Sequence, residues 1–192
     1  MSKKILYAAT VAKKHICQFH IPYMKMLQEW GYEVHVCAAD DFNEGEKCEI
    51  SHCDKFYDIC FSRNPFSPKN ITAYRKVRKI IKENGYELIH CHTPVAAAVT
   101  RLAAVGLNKE TVVLYTTHGF HFFKGAPLKN RIIFYPIEKY LSKFTDILIT
   151  INKEDYERAN RKFKANETIL LNGVGIDLRK IQEIKVETFS FT

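Results

Sequence analysis

The side chains able to do chemistry in this 192-residue sequence are mainly histidines, and they follow short apolar runs. Behind the run at 5–9 come Thr10, Lys13, Lys14, His15 and His20. Behind 87–91 come His92, Thr93 and Pro94. Behind 111–116 come Thr116, Thr117, His118, Gly119, Phe120 and His121, and behind 168–171 come Asn172, Gly173 and Gly175. Neutral imidazoles both donate and accept hydrogen bonds near pH 7, which suits them to sugar hydroxyls or phosphate. The most specific segment is Thr117-His118-Gly119-Phe120-His121-Phe122. A glycine beside His118 permits close backbone approach or a positive φ. His121 either joins His118 in binding or packs among Phe120, Phe122 and Phe123.

Other chemistries are disfavoured. His90 and His92 fall on one side of a strand, because side chains alternate, and with His118 and His121 a metal site is conceivable. These motifs hold no carboxylate and no visible supporting pattern, so the reading is no metal, with His90 buried and His92 alone reaching a crevice. The sequence contains no G-x-G-x-x-G after the first strand, no Walker A motif and no Gly-x-Ser-x-Gly elbow. The six cysteines (Cys17, Cys37, Cys48, Cys53, Cys60, Cys91) form no Cys-x-x-Cys pair, which fits reduced thiols in a cytoplasmic protein.

The elements that must position these residues alternate along the chain. Strands are predicted at 5–9, 33–38, 56–61, 87–91, 111–116, 146–151 and 168–171. Their apolar runs lack strict alternation, as strands buried on both faces do, and this implies a parallel sheet. Phe19, Tyr23, Leu27 and Trp30 recur at helical spacing before Gly31. Ser67-Pro68 is an N-cap with proline in the first turn, opening a helix that buries Ala73, Val77, Ile80 and Ile81 and stops at Gly85. Thr93-Pro94 repeats that signal before an alanine-rich helix ending at Gly106. Further helices are predicted over 128–143 and, capped by Asn152, along Tyr156, Ala159 and Phe163. The expected architecture is a Rossmann-like, doubly wound, mostly parallel seven-stranded α/β sheet with helices on both faces. One domain spans 1–178, and 179–192 reads as a tail or the start of a linker. In such sheets ligands bind beyond the carboxyl ends of the strands, where strand order reverses.

Six segments in order resemble family 4 glycosyltransferases of the GT-B fold, as found in bacterial exopolysaccharide, capsule and lipid-linked glycan assembly. They are Phe19-His20-Ile21-Pro22-Tyr23, Gly31-Tyr32-Glu33-Val34-His35-Val36, Leu88-Ile89-His90-Cys91-His92-Thr93-Pro94, the stretch from Thr117 to Pro127, Ile149-Thr150-Ile151-Asn152-Lys153-Glu154-Asp155, and Asn172-Gly173-Val174-Gly175-Ile176-Asp177. The resemblance implies a retaining enzyme with two facing domains, of which this chain is the acceptor-side, N-terminal one. It implies a nucleotide-sugar donor, a glycan or polyprenyl-diphosphate-linked acceptor and no obligatory metal. It places His118 against the donor sugar, and His20 and His92 in the cleft. Thr93, Thr117, Gly119, His121, Gly173 and Gly175 fall within the matching segments. The sequence departs from the family after the first strand, where the usual glycine-rich loop is replaced by Thr10-Val11-Ala12-Lys13-Lys14-His15. Lys13 or Lys14 would there meet phosphate as point charges. The family's paired donor-binding glutamates have no counterpart, so a C-terminal donor-binding domain is expected as a partner. The alternative is a non-catalytic acceptor- or membrane-binding subunit of a split enzyme.

The formal net charge of +8 favours anionic partners. Arg75, Lys76, Arg78, Lys79 and Lys82 make a basic helix face, and Lys129, Lys139 and Lys143 line one side of a later helix. Both are candidates for an anionic membrane surface. Nucleic acid is not expected, since no recognised module is present and aromatic residues do not interleave with the basic runs.

Overall fold

A computed structural model of the chain describes residues 3–108 and 110–173. Strands β1 (Lys3–Val11), β2 (Tyr32–Ala39), β3 (Lys55–Asp58), β4 (Leu88–His92), β5 (Val112–Thr117), β6 (Ile147–Thr150) and β7 (Glu167–Leu170) form one sheet. Its order is β3-β2-β1-β4-β5-β6-β7, and every pairing is parallel. The helices are α1 (Ile21–Glu29), α2 (Lys69–Asn84), α3 (Pro94–Ala104), α4 (Leu128–Leu141) and α5 (Lys153–Lys162).

The uninterrupted apolar runs are explained by a core on each face. In β1, Leu6 and Ala8 join the larger core with α2, α3 and α5, while Ile5, Tyr7 and Ala9 join a second core with Met24 and Leu27 of α1. β2 divides likewise, with Cys37 on the first face and Val34, Val36 and Ala38 on the second. A strand sandwiched in this way needs apolar residues at every position. The larger core also contains a charged tie. Arg101 of α3 is buried and donates to Glu138 of α4 at 2.8 Å, with its guanidinium 4.2 Å from the centre of the Tyr115 ring.

The strand order reverses between β1 and β4, and the two are stitched together just past their paired residues. Thr10 N–H donates to Thr93 Oγ1 at 3.0 Å, and the two hydroxyls lie 2.7 Å apart. Thr93 holds φ 60 and ψ 139 to make this contact, so its hydroxyl is not the expected helix cap.

Other expectations shift as well. The predicted third strand ends at Asp58, and Ile59 and Phe61 are buried outside the ladder. The first helix is two pieces. A π-helical turn, Ala12–Cys17, precedes α1, whose first turn contains Pro22. α1 buries Met24 and Leu27 while Tyr23 and Trp30 face solvent, because Leu27 pairs at helical spacing with Met24 as well as with Tyr23. Ser67 caps less closely than expected: Pro68 is the residue bounding α2, and Ser67 Oγ accepts from Lys69 N–H at 3.4 Å. Asn152 does cap α5, accepting from Asp155 N–H at 2.8 Å.

Candidate functional site

At the switch point, four elements deliver histidines to one spot. His15 comes from the π-helical turn after β1, His20 precedes α1, His92 ends β4, and His118 follows β5. Ring centres are 5.2 Å apart for His15 and His20, 3.9 Å for His20 and His92, 5.1 Å for His15 and His118, and 5.9 Å for His92 and His118. His15 Nε2 and His20 Nε2 lie 3.3 Å apart. His90 and His92 share a face of β4, as alternation predicts, with rings 4.0 Å apart over Tyr7.

The cluster is layered. His118 is exposed, His15 and His20 are nearly covered, and His92 has no accessible surface. His92 therefore does not reach open crevice as the sequence suggested. Its partly buried neighbour His90 instead donates to or accepts from Thr116 Oγ1 at 2.9 Å. His20 supports the floor rather than offering an open contact surface.

Burial and crowding by like groups hold these rings neutral. Burial lowers the His15 pKa to about 4, helped by His118. Burial, then His90, His15 and His118, lower that of His20 to about 2. Burial, then His118 and His15, lower that of His90 to about 3. His92 is pushed well down by burial and by its four histidine neighbours, and burial alone lowers His118. At neutral pH each ring thus offers one donor and one lone pair.

The His118 loop is held from below by the start of α5. Gly119 adopts φ 125, the positive value anticipated from the sequence. Buried Asp155 accepts from Phe120 N–H at 2.9 Å and from Asn152 Nδ2 at 2.8 Å. Glu154 accepts from Lys124 N–H at 2.6 Å and from Arg158, which also donates to the Phe122 carbonyl. Thr117 Oγ1 accepts from Gly119 N–H at 3.3 Å.

Beside the cluster opens a cavity of about 380 Å³, lined by Thr10, Lys14, His15, Arg63, Thr93 and His121 among others. Lys14 is exposed there, and Arg63 is a cation that sequence reasoning did not single out. Lys13 is not aimed at the cavity: its ammonium is 2.5 Å from Glu46 and lies over the Phe42 ring. His121 is exposed and packs on Phe134, with ring centres 4.7 Å apart. Pro94, Val95 and Phe134 also border a larger apolar groove of about 730 Å³, walled by Phe66, Ile71, Tyr74, Leu102, Ile137 and Tyr140.

The basic helix faces are only partly free. Arg75, Lys76 and Lys82 are exposed on α2, but Lys79 faces Glu83 at 3.7 Å. Arg78 donates to the Ala103 and Val105 carbonyls at 3.1 and 2.9 Å, closing the end of α3 rather than waiting for a lipid. Lys129, Lys139 and Lys143 are exposed on and just beyond α4. Gly173 has φ 92 at the end of the described region, and Gly175 and the 179–192 tail lie outside the described residues.

A parallel doubly wound sheet with a polar crevice at its reversal point defines a Rossmann-like α/β domain, the architecture of one half of a GT-B fold. The chain belongs to the glycosyl transferase 4-like family, whose profile matches residues 4–152. It is 42% identical over 186 residues to EpsD of Bacillus subtilis (strain 168), a protein carrying a glycosyltransferase name, covering 96% of this chain and 47% of that one. It is 35% identical over 137 residues to the O-antigen biosynthesis glycosyltransferase WbnH of Escherichia coli, covering 69% of this chain and 39% of the relative. The crystal structure of MurG from Acinetobacter baumannii superposes with a TM-score of 0.52 at 16% identity, covering 98% of this chain and 50% of that chain. The chain thus spans less than half the length of the curated relatives it matches.

Proposed function

We propose that this chain is the acceptor-side half of a retaining glycosyltransferase. It would move a sugar from a nucleotide-sugar donor to a lipid-linked sugar during cell-surface polysaccharide synthesis, at the cytoplasmic face of the membrane. The observation that carries this reading is the convergence of His118 with His15, His20 and His92 where β1 and β4 part. His118, exposed above the layer, orients the donor sugar by hydrogen bonding. Lys14 and Arg63 supply positive charge to the adjoining cavity, where the acceptor's diphosphate is held. The apolar groove sharing a wall with that cavity accepts the start of the lipid tail, an arrangement matched to an amphiphile. A second domain supplies the nucleotide-binding groups. Side chains and helix N-termini stabilise the leaving diphosphate, so transfer itself uses no metal. In front-side displacement the leaving phosphate takes the acceptor proton as the new bond forms on the face the nucleotide leaves.

The test uses a two-domain enzyme built on this chain, with a panel of nucleotide sugars and a polyprenyl-diphosphate-linked sugar. The product should keep the donor's anomeric configuration by NMR, and His118→Ala should lower turnover about 100-fold or more with the fold unchanged. An inverted product, or near-native turnover of His118→Ala, overturns the reading.

A further inference from the structure

We propose that His15, His20, His92 and His118 form a binding site for a divalent transition metal of the zinc class. One ring nitrogen from each lies within 4.8 Å of the other three. Zinc holds imidazole nitrogens at about 2.0–2.1 Å, so neighbouring ligands of a tetrahedral site stand about 3.3 Å apart. His15 Nε2 and His20 Nε2 already stand 3.3 Å apart. Closure to that spacing requires His92 and His118 to reorient, and His118 is the exposed member beside a glycine.

His92 points independently to a ligand. It has no accessible surface, and neither of its ring nitrogens has a hydrogen-bond partner among the described residues. A buried polar group left without a partner costs about 1–3 kcal/mol, and a metal bound at one nitrogen removes part of that cost. His15 and His20 lie against the His92 ring without hydrogen-bonding it. His90 is excluded from the set by its contact with Thr116, and Cys91 faces the opposite core. Four imidazoles without carboxylate or carbonyl oxygen suit zinc, copper or nickel and are poor ligands for magnesium or calcium. The ligands flank β1, β4 and β5, so the metal would tie together the carboxyl ends of three strands.

The proposed transfer chemistry uses no metal, but the metal site shares His118 with it. A metal that takes the His118 nitrogen withdraws it from the donor sugar, so zinc would inhibit transfer. That consequence rests on the role proposed for His118, whereas binding itself does not.

The test is made on the tag-free 192-residue chain, stripped with a chelator and titrated with Zn²⁺ alone by calorimetry and thermal melting. One saturable site and a raised melting temperature are expected, and Co²⁺ in its place should give the strong visible absorption of a tetrahedral ion. His118→Gln and His15→Gln should each weaken Zn²⁺ binding about tenfold or more with circular dichroism unchanged. The double variant His52→Gln/His121→Gln should bind as the parent does. Absence of saturable binding, undiminished binding when His15 and His118 are both replaced, or loss only in the His52/His121 control would overturn the proposal. Because His118 is exposed, misfolding does not account for a loss at that position. None of these readouts involves turnover, so a negative result leaves the sugar-transfer reading standing, and an inverted product leaves the metal site standing.

Discussion

Thr93 concentrates the tension of the switch point in one residue. Its backbone, at φ 60 and ψ 139, lies where a side chain is strained, at a cost of about 1–3 kcal/mol. Its hydroxyl offsets part of that cost by accepting from Thr10 N–H across the strand reversal. The two effects separate by substitution. Thr93→Ala keeps the strain and loses the hydroxyl, whereas Thr93→Gly loses the hydroxyl and relieves the strain. Thermal melts should therefore rank Gly above Ala by about 1 kcal/mol, the reverse of the usual order, and a higher midpoint for Ala would contradict the described backbone. Gly119 was foreseeable in kind, because a glycine beside a loop histidine signals positive φ. Thr93 was not, since Thr-Pro before an alanine-rich stretch also describes an ordinary cap. His15 was visible among the residues after the first run but had no local feature to set it above Lys13 and Lys14. Its importance comes from packing against histidines far away in sequence.

At the scale of elements, the start of α5 sets the His118 loop. Asp155 is buried and holds Phe120 N–H, with Asn152 orienting the carboxylate. Asp155→Ala should leave the buried Phe120 N–H unsatisfied, lower stability by about 1–3 kcal/mol and speed hydrogen exchange at 118–122. Unchanged exchange there would mean that the loop is held by other contacts. The capping role of Asn152 was legible because a cap acts within its own turn. The grip of Asp155 on a loop 35 residues earlier was not. Sheet and helix positions were largely readable, since doubly buried strands impose apolar runs wherever they occur. The stripe assigned to the first helix failed because two apolar series pass through Leu27: Met24 lies inside, whereas Tyr23 and Trp30 lie outside.

For the whole molecule, charge and apolar surface meet along α4. Tyr140 walls the groove, with exposed Lys139 and Lys143 on either side of it in sequence. No helix among the described residues is long and apolar enough to cross a bilayer. The chain should co-sediment with anionic liposomes and not with neutral ones, and the binding should weaken as salt rises. Lys139→Glu/Lys143→Glu should reduce it several-fold, while Arg78→Gln should act mainly on stability because that side chain closes α3. Equal binding to both lipids would reject the electrostatic account. The polar cavity and apolar groove share Pro94, Val95 and Phe134, so a bound amphiphile would bend across one wall.

The under-wound turn at Ala12–Cys17 holds one residue more than an α-helical turn while leaving its flanks in phase. Loss of a single non-histidine residue there would let the segment tighten into an ordinary helix with β1 and His20 still in register. Shortening is therefore borne better at this turn than within α2, where a missing residue rotates everything beyond it by about 100°.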